Sequence, residues 1–152
     1  MRLIVSFFFE KNFSQPGLLF FRQGDLFQHF RTSQPSFAQR FFFLPISDFL
    51  VIAASGGEAN RGIIDASVSN VMPAHAWLIN IARGSLVDEK ALIHALQNGV
   101  IAGAGLDVFE QEPQVPAALI ALDNVVLQPH VASATQETRQ KMSEVVFANV
   151  AA

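Results

Sequence analysis

Trp77-Leu78-Ile79-Asn80-Ile81-Ala82-Arg83-Gly84 runs apolar for the length of a strand and then stops at a cation and a glycine. The same grammar recurs along the chain. Phe49-Leu50-Val51-Ile52-Ala53-Ala54 ends at Ser55-Gly56-Gly57, Val100 to Val108 leads into Phe109-Glu110-Gln111-Glu112-Pro113, and Val125-Val126-Leu127 leads into Gln128-Pro129-His130. Continuous apolar runs of this length suit parallel strands buried on both faces. Helical segments fill the intervals. A short helix is expected over residues 61–68, with Pro73 punctuating before the next strand. Asp88 stands as an N-cap, Leu92, Ala95 and Leu96 form one apolar stripe, and Gly99 closes that helix. Residues 116–122 suit a short turn of helix. Ser133, Thr135 and Gln136 offer a cap for a last helix through Val145 and Val146, with Ser133 and Gln136 at capping-box spacing. Strands alternating with helices predict βαβ units and a parallel sheet.

A doubly wound sheet binds ligands beyond the carboxyl ends of its strands, so Arg83, Glu112 and His130 are brought toward one crevice although far apart in sequence. A guanidinium there would grip a carboxylate bidentately, and an imidazole would exchange a proton with a carbonyl oxygen. A carboxylate beside the imidazole orients it and raises its pKa. That set suits the reduction of a 2-keto acid. Each residue also has a plainer reading: a lone Arg after a strand is usually a surface ion-pair partner, and a loop Glu is usually solvated, a role that fits Glu110 better than Glu112. His75 and His94 have no partner motif and read as structural or exposed. No His and carboxylate spacing suggests a metal site.

At 152 residues the chain has room for one well-cored domain but not for two of ordinary size. The absence of cysteine excludes a disulfide framework and thiolate metal sites and is compatible with a reducing cytoplasm. A net charge of -3 gives no reason to expect nucleic acid or an anionic membrane as partner. Charge is uneven, however. Residues 1–46 hold five basic side chains against two acidic ones, while the rest of the chain is acidic. Twelve of the 15 Phe lie in the first 43 residues, including Phe7-Phe8-Phe9 and Phe41-Phe42-Phe43, without any sustained period. This Phe-rich segment is expected to be irregular and sticky, an aggregation hazard where exposed. Leu3 to Phe9 is followed at once by Glu10 and Lys11 with no small-residue cleavage site, so a targeting role is not expected. No apolar run reaches the roughly 18 residues of a spanning helix.

Three motifs carry a family resemblance. They are Asn80-Ile81-Ala82-Arg83-Gly84 with Leu86-Val87-Asp88, Gly103-Ala104-Gly105-Leu106-Asp107-Val108-Phe109 with Glu112-Pro113, and Asn124-Val125-Val126-Leu127 with Pro129-His130 and Ala134-Thr135. With them, Ser47 to Ala152 resembles the second half of the NAD-binding domain of the D-isomer-specific 2-hydroxyacid dehydrogenases, the family of glyoxylate/hydroxypyruvate reductases and phosphoglycerate dehydrogenases. The resemblance implies a partial doubly wound, Rossmann-like parallel sheet with flanking helices over 47–152, preceded by the Phe-rich segment 1–46. It implies NAD or NADP as cofactor and a small 2-keto or 2-hydroxy acid as substrate. Arg83 would bind the substrate carboxylate, His130 would be the general acid in reduction, and Glu112 would pair with His130. Asp107 would contact the carboxamide end of the nicotinamide. Ile81, Ala82, Arg83 and the stretch His130, Ala132 and Ser133 would line the cofactor, with Ser55 near the adenosine side. A cytoplasmic enzyme is implied, and a homodimer is compatible with it.

Two departures stand beside this. Such a domain needs a Gly-rich turn between its first strand and first helix, where backbone N–H groups hold the pyrophosphate. Gly103-Ala104-Gly105 is a decoy, because a strand continues through it and the third glycine position is Val108. The acidic residue about 20 positions beyond that turn, which would hold the adenine ribose, has no candidate either. Family members also carry a substrate-binding domain that closes over the crevice. The alternative expectation is therefore a truncated or frameshifted, non-catalytic remnant that acts as a binding or association module, with the strand over 49–54 left as an unpaired edge.

Overall fold

Four short strands, β4 (Phe49–Ile52), β5 (Trp77–Asn80), β6 (Gly103–Leu106) and β7 (Val125–Leu127), lie parallel and in one register in the computed structural model. The structure describes the backbone of residues 2–7, 17–22 and 28–30, and residues 44–151 with their side chains. Upstream of β4 the backbone forms β1 (Arg2–Phe7), β2 (Gly17–Arg22) and β3 (Gln28–Phe30). Strand β1 runs parallel to β4 and antiparallel to β2, and β2 runs antiparallel to β3. Among the described residues the sheet order is β3-β2-β1-β4-β5-β6-β7.

Two expectations change here. The edge of β4 is covered, because β1 pairs along it from Leu3↔Phe49 to Ser6↔Ile52. Part of the segment expected to be irregular is strand. The physical reason is that period-2 alternation marks only a strand with one wet face, and a plain apolar run such as Leu3-Ile4-Val5 carries no such mark. The side chains of Phe7 to Phe9 and Phe41 to Phe43, expected to be exposed and sticky, lie outside the described residues.

The helices are α1 (Ala66–Val71), α2 (Glu89–Gln97), α3 (Ala117–Ile120) and α4 (Gln136–Val150). Helix α1 starts later than the sequence suggests. Gly62 takes a left-handed φ of 62°, and Asp65 caps the helix by accepting from the Ser67 and Val68 N–H groups. Asp88 caps α2 as expected, accepting from Lys90 N at 3.0 Å and Ala91 N at 3.1 Å, and Gly99 ends it at φ 63°. Thr135 rather than Ser133 caps α4, accepting from Thr138 N at 3.2 Å.

One face of the sheet carries the core. Leu50, Ile52, Leu78, Ala104 and Leu106 pack with Val68 of α1, with Leu92, Ala95 and Leu96 of α2, and with Leu119 of α3. The alternate residues of β4 and β5 are only half-buried, so these strands are not the doubly buried ones their composition suggests. Gly103 is required beneath this layer, because a Cβ there would come within 2.6 Å of the Trp77 ring and of the Asn124 carbonyl oxygen.

Candidate active site

Register brings the site together. Ser6, Ile52, Asn80, Leu106 and Leu127 form one row across the sheet, the last four at the carboxyl ends of β4 to β7. The ladder continues one residue beyond it, with Ile81 N donating to Ile52 O at 3.4 Å, Asp107 N to Asn80 O at 3.0 Å, and Gln128 N to Leu106 O at 2.8 Å. The loops carrying Arg83, Glu112 and His130 therefore leave the sheet side by side. Between β1 and β4 the chain order reverses direction across the sheet, which is the switch point where such sheets open a crevice.

Beyond the carboxyl ends of β6 and β7, His130 and Glu112 are paired. His130 Nδ1 lies 2.8 Å from Glu112 Oε2, and Glu112 Oε1 accepts the Phe109 N–H at 3.0 Å. Both side chains remain accessible, at 44% for His130 and 35% for Glu112. The hydrogen bond from His130 holds the Glu112 carboxyl below the usual glutamate range, the Phe109 N–H adds to this, slight burial opposes it, and the charges of His130 and Arg83 contribute further.

The backbone at His130 is unusual. Its φ of 57° is in the left-handed region, which non-glycine residues enter at a cost of order 1–3 kcal/mol and mostly where surroundings impose it. Asp107 is what imposes it. Its buried carboxylate accepts Val131 N at 2.7 Å through Oδ1 and Ala132 N at 2.9 Å through Oδ2. Each oxygen keeps capacity for a second donor.

Arg83 follows β5 on a loop fixed from three sides. Buried Asn80 accepts the Ala82 N–H at 3.0 Å and donates to the Arg83 carbonyl at 3.0 Å. A Cβ at Gly84 would lie 1.9 Å from the Phe109 carbonyl carbon, so only glycine lets the β5 loop touch the β6 loop. A Cβ at Gly56, after β4, would come within 3.0 Å of Arg83 Cγ. Glu89, in the first turn of α2, accepts Glu110 N at 2.7 Å and so holds the Glu112 loop from below. Burial pushes the Glu89 carboxyl up, the Glu110 N–H opposes this, and the Glu110 charge adds to it. Glu110 itself reaches Arg61 at 3.5 Å, an exposed pair.

Of the residues singled out in sequence, Glu112 pairs with His130 and Asp107 binds the backbone just beyond His130, while Arg83 follows β5 beside exposed Ile81 and buried Ala82. Ala132 is tied to Asp107 and Ser133 follows it. Ser55 lies past β4 and accepts Asn60 Nδ2 at 3.1 Å through its carbonyl. His75 is at the other end of the strands, 3.1 Å from Asp48, and exposed His94 is on α2. Asn80, Gly84 and Glu89 were not assigned roles from sequence. The one signal available was a polar side chain, Asn80, inside an apolar run. Among the described residues no group of three or more His, Cys, Asp or Glu is placed to hold a metal ion, and no helix is long and apolar enough to cross a membrane.

Residues 28–132 match the family model of the D-isomer specific 2-hydroxyacid dehydrogenase NAD binding domain. The chain belongs to this family. It is 46% identical over 127 residues to a glyoxylate/hydroxypyruvate reductase A of Arabidopsis thaliana, covering 80% of this chain and 41% of that protein. It is 50% identical over 106 residues to a glyoxylate reductase of Pyrococcus furiosus, covering 70% of this chain and 32% of that one. Among solved structures, the dehydrogenase domain resembles an NADPH-dependent glyoxylate/hydroxypyruvate reductase from Sinorhizobium meliloti in complex with NADP and malonate, with TM-score 0.66 and 48% identity over 70% of this chain and 33% of that chain. A D-isomer specific 2-hydroxyacid dehydrogenase from Lactobacillus delbrueckii in its NAD complexed form gives TM-score 0.65 and 31% identity over 72% of this chain and 37% of that chain. The chain thus spans 32 to 41% of the length of the two curated relatives.

The residues present fit one end of a dinucleotide. Exposed Ile81 offers an apolar face, and Asp107 and the loop after His130 offer acceptors and backbone beside it. Residues 8–16, which follow β1 in the sequence, contain no glycine and lie outside the described residues.

Proposed function

We propose that this chain carries the catalytic half-site of an NAD(P)-dependent reductase for a small 2-keto acid of the glyoxylate or hydroxypyruvate class. The observation that supports it is the His130 to Glu112 pair at 2.8 Å, with Arg83 on the loop that leaves the adjacent end of β5. In this reading Arg83 binds the substrate carboxylate through its guanidinium fork. That contact turns the keto carbonyl toward His130. Nδ1–H of the imidazole is held by Glu112, which leaves Nε2 as the atom that gives a proton to the carbonyl oxygen and takes it back in the oxidative direction. Asp107 holds the backbone beyond His130 so that Nε2 keeps its aim. When bound, the nicotinamide would supply the hydride to the carbonyl carbon. Ile81, Ala82, Asp107, Ala132 and Ser133 would hold that ring, and Ser55 would lie toward the adenosine.

The test is NADH and NADPH oxidation by the full chain with glyoxylate and hydroxypyruvate, in wild type, Arg83→Ala and His130→Ala. Turnover is expected in wild type, with losses of at least about 10²-fold in kcat/KM for each variant. Turnover that survives both substitutions would overturn the assignment. A second reading, a truncated or frameshifted non-catalytic remnant that acts as a binding or association module, is favoured by the lack of glycine in residues 8–16. It predicts neither oxidation nor any change in NADH fluorescence.

A further inference from the structure

Asn80 closes β5 and is 1% exposed, flanked in register by Ile52 and Leu106. Packing alone would suit an aliphatic side chain there, since a buried amide is tolerated only with partners. Both of its polar atoms are directed at the next three residues. Oδ1 accepts the Ala82 N–H and Nδ2 donates to the Arg83 carbonyl, each at 3.0 Å. Ala82, held in this way through its N–H, in turn accepts Arg83 Nη1 at 2.6 Å through its carbonyl. Among the described residues that is the only side-chain hydrogen bond of Arg83. The guanidinium is therefore tied to the sheet through Asn80, while Gly56 leaves room for its stem and Gly84 lets the loop seat against Phe109.

We propose that Asn80 is a positioning residue for Arg83, clamping residues 82 and 83 so that the guanidinium faces the His130 and Glu112 pair across the crevice. This rests on the reading of Arg83 as the carboxylate anchor. A long Arg side chain on an unclamped loop samples many rotamers, and each that points away from the crevice lowers carboxylate affinity without touching the pair.

The experiment uses the full chain, oxamate as a carboxylate probe, and the Arg83 Nε–H NMR signal as a reporter of order. Asn80→Asp keeps the acceptor for Ala82 N–H but sets a carboxylate oxygen against the Arg83 carbonyl. Asn80→Ser removes the amide without adding charge and carries the measurement if the Asp variant does not fold. In wild type the Arg83 Nε–H heteronuclear NOE is expected near the value of the surrounding backbone, and in either variant it falls. Oxamate affinity falls on the order of tenfold, and combining the variant with Arg83→Ala gives no loss beyond Arg83→Ala alone. Gln and Asn side chains elsewhere, mutated as controls, leave the Arg83 signal unchanged. A mobile Arg83 signal in wild type, or an ordered one in both variants, overturns the positioning role. If wild type does not bind oxamate yet the Arg83 signal still loses order in the variants, the carboxylate reading fails and the positioning role stands.

Discussion

Glu112 shows how one side chain links stability to pH. Its carboxylate accepts from His130 and from the Phe109 N–H, and those bonds depress its pKa in the folded state. A depressed carboxylate contributes stability that is present above its unfolded value, about 4.3 for glutamate, and that is lost as pH falls through the lower folded value. Glu112→Gln is therefore expected to be less stable than wild type at pH 6, with the gap closing as pH falls below 4. Urea unfolding at a series of pH values checks this, and a gap that stays constant to pH 3 would remove Glu112 from the account. The same substitution takes away the anionic partner of His130, so in the proposed reaction its cost should fall on kcat more than on KM. Asp65 is also depressed, first by the Ser67 hydroxyl, and gives the protein a second source of acid sensitivity remote from the crevice.

At the scale of elements, contact between loops rather than strands decides the site. The β5 loop meets the β6 loop where Gly84 faces the backbone of Phe109 and Glu110, and a Cβ would sit 1.9 Å from one carbonyl carbon and 2.4 Å from an amide nitrogen. Backbone cannot yield as a side-chain tip can, so Gly84→Ala must push the two loops apart. Overpacking of this kind costs about 1 to 3 kcal/mol, and here it also separates Arg83 from Glu112. The expected result is a lower unfolding midpoint together with a Glu112 titration that moves back toward its ordinary range, because the displaced β6 loop loosens the hydrogen bonds of Glu112 with His130 and with the Phe109 N–H. A Glu112 titration that stays as depressed as in wild type in a destabilised Gly84→Ala would show that the loops do not communicate. Helix α2 enters the same arrangement from below. Asp88 caps it and Glu89 reaches up to Glu110 N, so a helix start and a loop are joined by one carboxylate.

At the scale of the whole molecule, burial among the described residues is concentrated on one face of the sheet under α1, α2 and α3, whereas α4 has no buried residue. Met142, Val145, Val146, Phe147 and Val150 are all exposed on it, Phe147 to 74%. Stability should follow that division. Leu78→Ala removes a fully buried side chain and is expected to cost about 2 to 5 kcal/mol, while Phe147→Ala should stay within about 0.5 kcal/mol of wild type. Urea midpoints of the two variants at equal protein concentration decide it, and a large loss for Phe147→Ala would mean that α4 is covered in solution.

How much of this was written in the residues can be judged at particular positions. The apolar runs at Phe49, Trp77 and Val125, the Asp88 cap and the Gly99 stop are local signals, and local signals survive in a linear reading because they depend on neighbours a few positions away. Arg83, Glu112 and His130 were legible as a set because each directly follows such a run, and a parallel sheet in register places such positions together. Tertiary structure alone decided the rest. That Gly84 is pressed against Phe109, that Asp107 fixes the backbone after His130, and that β1 covers the edge of β4 are relations between residues distant in sequence. No periodicity encodes them, because hydrogen-bond partners and steric contacts between loops are set only once the strands have chosen their register.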